Sequence, residues 1–344
     1  MRTREKILVL LAAVVVLAAV SGAALWHGRQ QAARKDQAQQ GGPPVREGTV
    51  SLARGGPARI VFRNTAWGPH RDELTSVPAG SPDTVRTAPS SAPVKCLRFH
   101  AAGGTGICLQ SEHHALGETY RAVVLDSALH ETRRITVPGI PTRDRVSPSG
   151  RMVAWTVFVG GDSYAATDFS TRTGILDTRT GALTPSLESY RVVKDGRTYH
   201  AADVNFWGVT FADDAHFYAT LGTKGATYLV RGDIARRTVT TVRSNVECPS
   251  LSPDGRRLAF KKRVRGADPD APWRLYVLDL ATMRESPLAE SRSVDDQAVW
   301  TPDGRTVTYE LAGDHGADLW TVPADGTGTP HRLTRGALSP AFLR

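Results

Sequence analysis

The side chains able to do chemistry are few in this sequence, and their spacing favours structural over catalytic roles. A serine hydrolase needs its nucleophile on a sharp strand-to-helix elbow, G-x-S-x-G, and the sequence contains none. Zinc chemistry needs convergent Cys and His ligands, yet neither H-E-x-x-H nor C-x-x-C occurs. His113 and His114 are adjacent, so on a strand their rings point to opposite faces, which favours structural or solvent histidines. Asp268-Pro-Asp270 and Asp314-His-Gly-Ala-Asp318 look like calcium loops, but neither continues into the D-x-D-x-D-G…E spacing. Turn residues are the simpler reading of both, with an adventitious cation second. No catalytic, cofactor-binding or metal-binding residue is assigned, and no cofactor is expected.

Charge points to no particular partner. The 344 residues carry 43 Lys+Arg against 34 Asp+Glu, a formal net charge of +9. Lys occurs only seven times, so Arg supplies the excess. The arginines are scattered singly, often beside Asp or Thr, as in Arg143-Asp144-Arg145 and Arg172-Thr173. A nucleic-acid binder would cluster its cations in a stripe with stacking aromatics. Only Lys261-Lys262-Arg263-Val264-Arg265 comes close, and a solvated face explains it better than a phosphate site. No nucleic-acid partner is expected. With 40% hydrophobic and 22% charged residues the composition is globular, which excludes wholesale disorder and a collagen-like fibre.

The amino terminus fixes the compartment. A basic segment, Met1-Arg-Thr-Arg-Glu-Lys6, precedes twenty residues without a charge, Ile7 to Trp26, enough helix to span a bilayer core of ~30 Å. Arg2, Arg4 and Lys6 favour a cytoplasmic amino terminus, and Trp26 stands where an interfacial aromatic belongs. The run exceeds the h-region of a cleaved signal peptide, so a retained anchor is favoured, although Ser21-Gly22-Ala23-Ala24 offers a peptidase small residues. No Cys near its end permits lipid attachment. Either way the remainder is exported. The expected organisation is a cytoplasmic tail at 1–6, a transmembrane helix or signal anchor at 7–26, a flexible Gln-, Gly- and Pro-rich stalk at 27–50, and a folded unit at 51–344.

That folded unit is built on a repeat. Val146-Ser-Pro-Ser-Gly-Arg-Met-Val-Ala-Trp155, Leu251-Ser-Pro-Asp-Gly-Arg-Arg-Leu-Ala-Phe260 and Trp300-Thr-Pro-Asp-Gly-Arg-Thr-Val-Thr-Tyr309 share one pattern, with a weaker copy at 211–220. Pro presets the turn, Asp or Ser bonds its own backbone, Gly takes the left-handed position, and alternating apolar residues make two strands. A second motif follows each, as in Ala122-Val-Val-Leu-Asp126 and Leu275-Tyr-Val-Leu-Asp279. Aligned on Val77, Leu125, Leu176, Val230, Leu278 and Val322, the copies are spaced 48, 51, 54, 48 and 44 residues apart. Six units of this size predict an all-β, six-bladed propeller of four-stranded blades.

These motifs resemble the TolB-like propeller repeat, in which S-P-D-G follows one strand and a later strand reads I/L-Y-V-L-D. The resemblance covers most of 58–344 and departs at 211–220, where Pro and Gly are lost, and at His100-Ala-Ala-Gly-Gly-Thr-Gly106, which replaces the turn. The first unit lacks an innermost strand, while Pro340-Ala-Phe-Leu-Arg344 resembles the lead-in Ala298-Val-Trp-Thr301 without its turn. Pairing 338–344 with 58–62 closes the ring and removes an open edge. TolB itself carries a further amino-terminal domain for which this chain has no room, so its partners are not carried over. The resemblance implies an exported propeller that offers loops to another macromolecule.

Cys96 and Cys108 are equidistant from Ala102, so a disulfide across that hairpin is favoured over two free thiols in an oxidising compartment. Cys248 has no partner and is expected to be a buried free thiol. Loops between blades and middle hairpins share one face, which should present Trp67, His70, Tyr164, Tyr190, Tyr199 and His200 as candidate binding residues. Trp155 and Trp207 suit packing between blades equally well. The expected role is a non-enzymatic, monomeric scaffold or sensor in the cell membrane, its propeller outside and its partner an envelope protein. The alternatives are a cell-wall or carbohydrate binder, and a lactonase- or lyase-type enzyme with acidic or His side chains converging in the central channel.

Overall fold

The computed structural model describes residues 3–35, 44–79, 89–115, 117–160 and 170–344. A helix runs over Thr3–Lys35, and within it Leu10–Gln30 has a mean hydropathy of 2.1 with no residue buried against the rest of the chain. It continues past Trp26 because Gln30-Gln31-Ala-Ala-Arg-Lys35 are good helix formers, the first breakers being Gly41-Gly42-Pro43-Pro44. Part of the segment read as stalk is therefore helical.

Six sheets follow, each antiparallel through its four principal strands. Blade 1 runs inward from Ser90–Lys95 through Glu73–Pro78 and Arg59–Asn64 to Ala337–Leu343, the last strand of the chain. Arg59 pairs with Leu343, Val61 with Ala341 and Asn64 with Ala337, which is the expected closure. A short strand, Arg46–Glu47, adds to the outer edge of blade 1 in parallel with Ser90–Ser91. Blades 2, 3, 5 and 6 begin at the axis with Arg98–Ala102, Ile140–Val146, Glu247–Leu251 and Val299–Trp300. Blade 4 begins with Asn205–Phe211.

The repeat chemistry is realised turn by turn. Gly150, Gly255 and Gly304 adopt φ of 85°, 70° and 66°, and their amides bond back to Ser147, Ser252 and Thr301. Asp254 and Asp303 accept the amides of Arg256 and Arg305. In the degenerate copy Asp213 does the same work, accepting the amides of Ala215 and His216, both at 2.7 Å. All six aligned apolar positions, from Val77 to Val322, lie on the third strand of their blades and are buried.

Both faces of each blade are covered, so the core is a ring of six layers between neighbours. Ile60, Phe62, Leu319 and Ala337 join blades 6 and 1, and Leu229, Val246, Phe260 and Leu278 join blades 4 and 5. Trp155 belongs to the layer between blades 2 and 3. Trp300 is buried between blades 5 and 6 and donates its indole N–H to Ser250 O at 2.8 Å. Strands such as Met152–Val159 are buried on both sides rather than alternately, as this sandwiching requires.

Two expectations change in register or place. Cys96 and Cys108 are bridged, with Cα atoms 5.3 Å apart, but the turn centres on Gly103-Gly104, so Cys108 pairs with Phe99. Cys96 lies just outside the strand, where Leu97 bends the chain to bond Leu109 O. Residues 189–206, the connection that carries the candidates Tyr190, Tyr199 and His200, are not a plain inter-blade loop. Arg191–Lys194 and Arg197–Tyr199 form a hairpin, and its first strand runs parallel to Thr238–Thr240 on the outer edge of blade 4. Val192 and the Asp195-Gly196 turn, with φ of 52° and 74°, drive this pairing.

Candidate functional site in the central channel

The inner strands converge on a polar cluster that the sequence alone did not single out. Arg98 comes from blade 2, Arg143, Asp144 and Arg145 from blade 3, and Glu310 from blade 6. Asp295, Asp296 and Gln297 arrive differently: the connection leaving Glu285–Pro287 of blade 5 dips across the axis before entering blade 6. With His100, Thr142, Ser339 and Pro340, all of these side chains except Asp295 line a small pocket of about 20 Å³, partly open to solvent.

Asp296 is the hub. Arg98 is hydrogen-bonded to its carboxylate, and Arg143 Nε lies 3.0 Å from it. Burial would raise the Asp296 carboxyl, but Arg143 and Arg98 outweigh it and hold the group well below the usual carboxylate range. Asp295 accepts Lys261 Nζ from blade 5 at 2.5 Å, and its backbone carbonyl accepts Arg143. Gln297 donates its amide to Pro249 O at 2.6 Å and to Val209 O at 3.2 Å, reaching blades 5 and 4. The Ser339 amide of blade 1 donates to Glu310. All six blades thus meet in one network.

Not all of it is ionised. Burial, opposed by Arg98 and Arg145, leaves the Asp144 carboxyl pushed up to about 8. Burial and the neighbouring Asp296 raise Glu310 well above its usual range. Burial lowers Arg145 to about 10, so it remains charged at neutral pH. His100 is held well below its ordinary value by burial and then by Arg145, and its neutral Nδ1 accepts the Val146 amide at 3.1 Å. Among the described residues Arg145 donates only to Ala298 O, at 3.4 Å, and its Nε has no hydrogen-bond partner. Asp144 Oδ2 likewise has no hydrogen-bond partner among the described residues, while Glu310 Oε2 lies 3.7 Å from Arg98 Nη1.

Three axial carboxyl groups do meet here, as the enzyme alternative required, but arginines stand among them. Among the described residues no group of three or more His, Cys, Asp or Glu is placed to hold a metal ion. Lys261, expected on a solvated face, is 4% exposed, and Arg143, one of the scattered arginines, is 8% exposed. Repeat register held the missing clue. Counting back four residues from the turn Ser or Thr reaches Arg143, Cys248 and Gln297 alike, and the matching position of the closing strand is Ser339. Cys248, at φ 48° and fully buried, and Ser339, at φ 54°, bulge inward at this level, as Gly208 does in blade 4.

The predicted binding-face residues scatter. Trp67, 39% exposed, meets His315 of blade 6 edge-on at 5.6 Å. His70 lies nearby in the same blade 1 hairpin, its Nδ1 2.8 Å from Glu73. Tyr190 is a correction: it is 4% exposed, packs on Phe217 and carries Arg237 over its ring. Tyr199 sits on the outer hairpin of blade 4 with its hydroxyl 3.0 Å from Thr223, at the tip of the middle hairpin of that blade. His200 is exposed beside it, and Tyr164 falls outside the described residues. His113 and His114 turn to different partners, Glu118 and Thr119.

No family model matches the sequence, and no curated protein matches it either. Solved structures do match. TolB from Acinetobacter baumannii superposes with a TM-score of 0.51 at 15% identity, over 83% of this chain and 66% of that one.

The fold is a TolB-like β-propeller.

A puromycin-hydrolysing peptidase from Mycobacterium tuberculosis reaches the same score at 15% identity, over 88% of this chain but only 47% of that one. A chain of a nidogen/laminin complex also scores 0.51, at 12% identity, over 83% of this chain and 98% of its own length. The chain therefore spans less than two thirds of the TolB and under half of the peptidase it is similar to. TolB-like propellers of this kind share an architecture across binding proteins and enzymes, so the likeness speaks for the fold alone.

Proposed function

We propose that this chain is a membrane-tethered propeller that works by binding, as a scaffold or sensor on the outer side of the cell membrane. The observation that carries this reading is the state of the axis. Its cations and carboxyl groups brace the six blades against one another. The apolar helix with its basic start supplies the tether, and the Cys96–Cys108 bridge suits an oxidising compartment. The contact surface is the rim carrying Trp67, His70 and His315.

A specific observation favours the enzyme alternative: Asp144, buried and pushed up to about 8, has the protonation of a general acid at neutral pH. Crosslinking in the native envelope followed by mass spectrometry separates the two. Recovery of a defined protein partner through the Trp67 rim supports the scaffold. Recovery of none, while the purified protein turns over a substrate or binds peptidoglycan, overturns it.

A further inference from the structure

We propose that the axial pocket is a binding site for one small oxyanion, a carboxylate or phosphate group seated against Arg145. The site is distinct from the Trp67 rim, and its binding chemistry stands without the scaffold reading; only its use as the sensed signal rests on that reading. Two observations point to a ligand independently of each other. The first is the pocket itself, small and partly open to solvent, whose lining brings Arg98, Arg143 and Arg145 together from two adjacent inner strands. The second is that Arg145, only 7% exposed, leaves Nε unpartnered and spends a single long bond on Ala298 O. A buried guanidinium donor without an acceptor is costly, and a planar oxyanion satisfies it through two parallel N–H···O bonds.

Charge supports the assignment. Of the carboxyl groups lining the cavity, Asp296 is firmly ionised, and it already serves Arg98 and Arg143. Asp144, pushed up to about 8, is protonated at neutral pH, which makes it a further O–H donor beside an oxyanion and leaves three guanidiniums facing Asp296 and the raised Glu310. Asp144 Oδ2, without a hydrogen-bond partner among the described residues, is the oxygen able to donate. A metal ion is the wrong occupant for such a lining, since three guanidiniums repel it.

The test uses the full chain in detergent micelles, titrated calorimetrically with acetate, succinate, inorganic phosphate and, as a control, the cation tetramethylammonium. Saturable binding of at least one oxyanion below about 10 mM, and none of the cation, is expected for a single charged fork in a small pocket. Acetate or succinate ahead of phosphate assigns a carboxylate ligand, and the reverse order a phosphate. Arg145→Met should weaken binding at least tenfold. Arg145→Lys keeps the charge but loses the fork, and should weaken it by about tenfold should the Met variant not fold. No saturable binding of any oxyanion by the wild-type chain overturns the proposal, as does unchanged affinity in the folded Arg145→Lys variant. Oxyanion binding with no envelope partner sinks the scaffold but keeps the pocket; a partner without oxyanion binding does the reverse.

Discussion

The backbone amide of Ser339 donates to the side chain of Glu310, tying the strand that closes blade 1 to the second strand of blade 6. Ring closure and the axial network are therefore one structure. Deleting 338–344 removes Ala341 and Leu343 from the core between blades 1 and 2 and leaves Arg59–Asn64 as an open edge. The loss of buried area and ladder hydrogen bonds should cost roughly 4 kcal/mol or more, about 10 °C of melting temperature. An unchanged melt would show that the ring does not depend on this strand.

The Cys96–Cys108 bridge closes a short loop, with a sequence separation of 12. Cys96→Ala with Cys108→Ala should lower stability by about 2–3 kcal/mol, most of it through the unfolded chain. Peptide mapping without reductant should return the two cysteines in one linked fragment, while Cys248 is alkylated only after unfolding. Both bridge cysteines labelled in the unreduced, unfolded chain would rule the bridge out.

The axis should make stability fall as pH rises. Burial raises the folded-state values of Asp144, to about 8, and of Glu310. A carboxyl raised on folding binds more protons in the folded chain, so its contribution is complete below its unfolded value and is lost as pH climbs through the folded one. Asp296 has the opposite sign, its contribution fading only below its ordinary range. Melts between pH 5 and 9 should therefore decline toward pH 8, and Asp144→Asn should flatten the slope. An identical slope in that variant would place the titration elsewhere.

Glycine opposite tryptophan is a packing device in blade 3. Gly174 pairs with Trp155, and a Cβ there would stand 2.6 Å from the indole. Gly174→Ala should overpack the layer and destabilise by about 1–3 kcal/mol, a drop of several degrees in a thermal melt. A neutral substitution would mean that the indole can move aside.

Much of the fold was legible because its signals are local. Pro, Asp and Gly at fixed offsets write each turn, and the third-strand motif places Leu125 or Leu278 in a buried layer whatever surrounds it. The Asp195-Gly196 hairpin was legible too, but the aromatic residues around it drew attention to recognition instead. The axial site was not, because its members are far apart in sequence. Arg143-Asp144-Arg145 reads as a solvated strand until Asp296, 152 residues beyond Asp144, is brought against it by the dipping connection. Whether a scattered arginine is surface or axis depends on which strand of the blade carries it. Register against the turn motif, rather than charge, held that information.

The strand Arg46–Glu47 gives the tether a mechanical meaning. It joins the outer rim of blade 1 by two backbone pairs, at Ser90 and Ser91, immediately after the segment that leads from the apolar helix. The opposite rim of the same sheet is the closing strand Ala337–Leu343. A pull through the proposed tether would thus be delivered to the one blade assembled from both ends of the chain. Under load on the proposed anchor the first pairs to part would be the two at that outer rim, with the clasp of the ring sheltered at the opposite edge of the sheet.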